Sequence, residues 1–401
     1  MSLRARFSPF ALAFAALVSA GCSNENETTG PMTTTPDPCA SMVSTCVGKQ
    51  QACVSDGKEA RCEACGAGKY ASLAGHCEPL DGTVTTHDFQ SFTTQPGEEV
   101  LGLCQSWTLN NAEEIWVNAV ELTQDEASHH SNWTYVPDNL YKGEDGVWKC
   151  SERGYQQLDA AIYGGVLYAQ STQAGHEVQK FPGGAAVRIP PYSRIISDVH
   201  LLNTGSEAVT GHIELSLYSL PIADVKVKLV PFHLTYDGLN IPPHASSRFT
   251  GNCAIASQFP GGKLDLSVYY ILPHTHAMAT RFFVDVLGGP DDKKNLIEVK
   301  GFTSEAHGRA FDPPLDMSKA DGFSFGCEYI NQRSEAVGWG FGDQEMCELL
   351  GFADATRAFE SSVDAADPAG TDENGMQLFS GPCSTFAFPW DHTKPGGPGP
   401  M

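Results

Sequence analysis

Two histidines flank one threonine in "YYILPHTHAMATRFFVDV", a run that otherwise reads as a buried β-strand. Residues two apart on a strand share a face, so His274 and His276 project side by side. Paired imidazoles suit a metal, and a metal needs more ligands. The candidates are His129 and His130 in "DEASHHSNW", His200 in "SDVHLLNTG" and Met346 in "FGDQEMCELL". Each has a plainer reading when taken alone. A lone strand histidine is more often a hydrogen-bonded core or surface residue, and a lone methionine more often fills a core. Adjacent histidines diverge on a regular strand, and they share a metal only where a bulge or strand end turns both inward. As a set their chemistry is coherent. Three imidazoles suit a copper that cycles between oxidation states while closed to substrate. Two imidazoles and a thioether favour Cu(I), because sulfur is a soft ligand, and an open Cu(I) site is where dioxygen could bind.

The elements that must position these residues are strands. From about Thr83 onward, short runs rich in Val, Ile, Tyr and Phe alternate with Gly, Pro and Asn turns, as in "EIWVNAVELT", "HIELSLYSL" and "DGFSFGCEYIN". Long amphipathic helix patterns are scarce. This texture predicts a mostly β chain of antiparallel sandwiches, and about 300 residues is too many for one. "RIPPYSRII" and "NIPPHASSRF" read as a weakly repeated entry strand, so the expected division is 83–235 and 236–390, with a flexible tail at 391–401.

The N-terminal part has a different character. Residues 1–21 carry Arg4 and Arg6, then an apolar run, then small residues before Cys22, which reads as a secretory signal too short to span a bilayer. The approach to Cys22 resembles a bacterial lipobox with Ser19 in place of the usual leucine. It implies lipidation of Cys22, with a simple signal-peptidase site as the alternative. Residues 22–38 are polar with nothing to bury, a disordered tether from that anchor. Setting Cys22 aside, 12 of the 13 cysteines remain, an even number suited to six disulfides in an oxidising compartment. Six of them crowd residues 39–80, a module too small to fold without staples. Zinc at Cys62 and Cys65 is the alternative there, weakened by the lack of a second CxxC. The module's expected role is spacer or protein contact.

The formal charge is −23, and loss of the two leader arginines leaves 48 acids against 23 bases. Such acidity argues against a nucleic-acid partner. No second apolar run is long enough to cross a membrane, so the expectation is an exported protein. It would be anchored through Cys22 to the outer membrane, facing periplasm or cell surface, or otherwise secreted. Hydrolase, NTPase and nicotinamide fingerprints do not occur.

A vicinal HH and a VH followed by HTH and EMC is an order of ligands that resembles the copper type II, ascorbate-dependent monooxygenases, over about Thr83 to Trp390. That family includes peptidylglycine α-hydroxylating and dopamine β-monooxygenases. The resemblance implies two jelly-roll-like domains with one copper in each. His129, His130 and His200 would hold the first copper; His274, His276 and Met346 would hold the second, catalytic one. It also implies the disulfides Cys104–Cys150, Cys253–Cys383 and Cys327–Cys347. The implied reaction hydroxylates a substrate C–H with dioxygen, and ascorbate or a similar one-electron donor reloads both coppers.

The sequence departs from the family where peptide-amidating members clamp a substrate carboxylate. Those positions are Leu272, Glu348 and Leu350, and Glu348 would repel a carboxylate. A small non-peptide substrate is therefore expected. Asp198, two residues before His200, would orient that imidazole or face solvent, and His176 and His212 stand in reserve as third ligands. Most of the remaining histidines read as surface residues. The alternative function is a non-catalytic copper-binding or adhesive cell-surface lipoprotein that keeps the fold. A sugar-binding jelly roll with accidental histidines is a third reading.

Overall fold

A computed structural model describes residues 37–125, 128–171, 173–303 and 305–392. The signal, Cys22 and almost all of the tether lie outside them, as does the tail beyond His392. Among the described residues no helix is long and apolar enough to cross a membrane.

The cysteine-rich module has a short helix, Val43–Val47, and two hairpins, Gln51–Ser55 with Ala60–Ala64 and Lys69–Ala71 with Cys77–Pro79. Its buried centre is Cys39, Cys46 and Cys53 rather than aliphatic side chains. Disulfides Cys39–Cys53, Cys46–Cys62 and Cys65–Cys77 take the place of a core. Cys62 and Cys65 are both spent in these bonds, which removes the zinc alternative.

The rest is two jelly-roll-like β-sandwiches. One sheet of the first runs Gly146–Lys149, Glu99–Thr108, Ser193–Leu202, Ser128–Pro137 and Gly165–Ala169 in spatial order. Its partner sheet is centred on Ile115–Gln124. The second sandwich pairs two six-stranded sheets. One is centred on Leu266–Thr275, Cys347–Ala355 and Val230–Thr235; the other on Ala279–Leu287, Gly322–Asn331 and Ala245–Ala254. Neighbouring strands are distant in sequence, so the chain crosses between sheets as a Greek key does. Most pairs are antiparallel, but Val230–Thr235 runs parallel to Arg357–Ser362, and Ala245–Ala254 to Gln377–Pro382. Because Val230–Thr235 pairs inside the second sandwich, the change of sandwich falls just before Val230, not at 235. The start of the expected tail is packed, with the His392 ring 6.5 Å from Trp116.

The pairs the resemblance implies, Cys104–Cys150, Cys253–Cys383 and Cys327–Cys347, are all bonded. Alternation then explains how the sandwiches meet. On Leu266–Thr275, Ile271 points into its own core, while Tyr270 and Leu272 join the core of the first sandwich. Phe352 does the same from the adjacent strand, and Phe181 packs against Phe352 and Tyr270 with ring centres 5.1 and 6.0 Å away. His274 is the next residue on the Tyr270 and Leu272 face, so this apolar seam delivers it to the first sandwich.

Candidate metal centre

The first group of imidazoles is made by a bulge. His200 pairs across to His130, but the next residue, Leu201, pairs with Ser128, which leaves His129 as the extra residue. The bulge is what adjacent histidines need in order to turn the same way. Their Nδ1 atoms face each other at 2.9 Å. His200 comes alongside from the neighbouring strand, with ring centres 4.6 Å from His129 and 5.0 Å from His130. Its far nitrogen, Nε2, hydrogen-bonds Glu99 Oε1 at 2.7 Å, which leaves Nδ1 turned inward, buried and without a partner.

The second group sits where a strand ends. Leu266–Thr275 stops one residue before His276, and the two rings lie 5.2 Å apart. His274 Nδ1 donates to the Ser171 carbonyl of the first sandwich at 3.0 Å. His276 Nδ1 donates to the Gln344 carbonyl at 2.8 Å, and its Nε2 is buried with no partner. Glu345 fixes this turn by accepting the backbone N–H groups of His276 and Met278 at 3.2 and 2.7 Å. Met346 follows directly, buried, with its carbonyl held by the Tyr329 hydroxyl at 2.8 Å. Its backbone is thus fixed beside the turn that carries His276.

These are not two remote sites. Ring nitrogens of His129, His130 and His200 lie within 4.8 Å of one another, and so do those of His130, His274 and His276. Burial pushes all five imidazoles below their ordinary range: His129 to about 3, His276 to about 4, and His130, His200 and His274 in the same direction. Mutual repulsion of the rings would add to this at His129, His130 and His276. The rings are therefore neutral at pH 7 and have lone pairs to give. Buried ring nitrogens without partners are costly, and a metal ion satisfies them. An imidazole-rich set suits copper.

Several assignments change. Glu99, not Asp198, backs His200; Asp198 instead lies across from Cys104, where burial raises its carboxyl to about 6. The reserve histidines are engaged elsewhere: His176 Nε2 with Glu121 at 2.8 Å, and His212 Nδ1 with Asp125 at 2.7 Å. Leu272 is buried in the seam and Leu350 packs against it. Glu348, across from His274, is bound by Trp339 Nε1 at 3.1 Å and lies 3.6 Å from His233 Nε2. His233 also meets Glu360 at 3.3 Å, and despite burial the two carboxylates hold it in its charged form. It is not a free surface residue. The Glu99, Ser171 and Gln344 contacts had no local sequence signal, because carbonyls are present everywhere and Glu99 looks like an ordinary strand acid.

No family model and no curated protein sequence matches the chain. Among solved structures, it is similar to the major capsid protein P2 of bacteriophage PM2, at 7% identity over 68% of this chain and 98% of that one, with a TM-score of 0.28. The cowpea mosaic virus empty particle is similar at 10% identity over 67% and 89%, also with a TM-score of 0.28. Scores this low do not bear on the site, and the fold rests on the sheet pairings described above.

Proposed function

We propose that this protein is a copper-dependent monooxygenase that hydroxylates a small, non-peptide substrate at a C–H bond, using dioxygen and a one-electron reductant such as ascorbate. The observation that carries the reading is the convergence of five neutral imidazoles, three from one sandwich and two from the other. His200 and His276, one in each group, each carry a buried nitrogen without a hydrogen-bond partner. The order of these residues along the chain, with Met346 after them, is that of the copper monooxygenases.

Copper bound here would supply one-electron redox chemistry and a place for dioxygen. The chain's own residues do the rest. Glu99 and the Ser171 and Gln344 carbonyls fix which nitrogen of His200, His274 and His276 faces inward. The hydrophobic seam of Tyr270, Leu272, Phe181 and Phe352 holds the two groups in register and keeps water from their rear. The positions of a carboxylate clamp carry two leucines and a charge-paired glutamate, so peptide C-termini are not the substrate. The same observation favours a second reading, copper capture without turnover. The disulfides belong to an exported protein, and we place its anchor at Cys22.

The test replaces His274 and His276 together with alanine. The variant should lose one copper and all ascorbate-driven oxygen uptake. Full copper with undiminished uptake would rule out this assignment.

A further inference from the structure

His130 occupies a position that neither group explains alone. Among the described residues its ring neighbours all four other imidazoles of the cluster: His129 at 5.2 Å, His200 at 5.0 Å, His274 at 5.0 Å and His276 at 5.8 Å between centres. It is also the one residue common to both groups of converging nitrogens. The geometry points to His130 as a shared ligand that joins the two metal positions into a single two-copper centre, one ring nitrogen serving each. This rests on the copper reading above and changes what that reading expects of the site.

Metal–imidazole bonds are about 2.0–2.1 Å, so two nitrogens on one tetrahedral ion stand roughly 3.3 Å apart. The Nδ1 atoms of His129 and His130 face each other at 2.9 Å, a few tenths short of that. Nδ1 faces His129, and the proposal gives the other ring nitrogen, Nε2, to the His274 and His276 side. His130 belongs to both groups, whose ligand atoms lie within 4.8 Å of one another, so a small inward turn of the rings would bring an ion in either group to this ring. The proton on the second nitrogen leaves to solvent as the second ion binds, as ligation generally requires. A ring held in common would give the two positions a direct connection through His130.

Electron paramagnetic resonance of the whole chain loaded with two equivalents of Cu(II) tests this. Coupling through a shared ring should reduce the integrated signal well below two spins per chain and produce a half-field transition. Loading with copper diluted in excess Zn(II) should restore one spin per copper, and it uses the same folded protein with no substitution. Two full, independent spins, or a capacity of only one copper, would overturn the shared centre. Ascorbate-driven oxygen uptake on the same sample separates the two ideas. Coupled spins without uptake uphold the shared centre and remove the monooxygenase reading. Uptake with two independent spins does the reverse.

Discussion

The two imidazole groups meet at His130, yet they are built in opposite ways. The first is held by a charge: His200 leans on the carboxylate of Glu99, and its geometry depends on a bulge that frees His129 from the ladder. The second is held by neutral backbone, since both His274 and His276 donate Nδ1–H to carbonyls, and Met346 lies two residues past Gln344, which supplies one of them. A carboxylate behind an imidazole makes it a stronger donor and favours the more oxidised metal; neutral backing and sulfur favour the reduced one. The difference is what the proposed function needs, with one position passing electrons and the other meeting dioxygen.

The neutrality of the second group has a condition attached. Ser171, whose carbonyl receives His274, also donates its hydroxyl to Glu177 at 2.8 Å, and Glu177 is fully buried with its carboxyl raised to about 7. A carboxyl whose folded pKa is raised above its unfolded 4.5 binds protons more tightly in the native state. Its contribution is therefore complete below about pH 4.5 and is lost as pH rises through 7. Glu177→Gln should remove that loss, leaving the metal-free variant more stable than the parent at pH 8 by up to about 3 kcal/mol and no more stable at pH 4. Urea unfolding at the two pH values measures this, and parallel pH profiles would contradict it.

Glu99→Gln sharpens the contrast from the other side. It keeps shape while removing charge behind His200, and should weaken one copper by roughly 10–100-fold and the second by much less. Competition with a calibrated chelator resolves the two equivalents, and equal weakening of both would erase the distinction drawn here. At the small end, His212→Ala removes an exposed histidine paired with Asp125. It should leave both copper affinities unchanged and move stability by less than about 0.5 kcal/mol. A lost copper would mean that the ligand set is wrongly drawn.

Strand texture and cysteine number were readable in the sequence because alternation and parity are local properties. The same periodicity suggested pairing His274 with His276, but the strand stops at Thr275 and a turn held by Glu345 brings His276 beside it. Other features depend on register, which no local pattern encodes. The sequence showed that adjacent histidines require a bulge, but only the pairing of Leu201 with Ser128 supplies it. Asp198 looked like the orienting acid because it is two residues from His200. Glu99 holds the position instead, from the neighbouring strand. The nearness of the two groups was also hidden, since it comes from a seam in which Tyr270 and Leu272 leave their own sandwich for the core of the other.

The most direct test is copper equivalents per chain under limiting copper, for the parent and for Met346→Ala. The account predicts two equivalents in the parent and selective weakening of one in the variant. Fewer than two in the parent, or two that are indifferent to Met346, would contradict it.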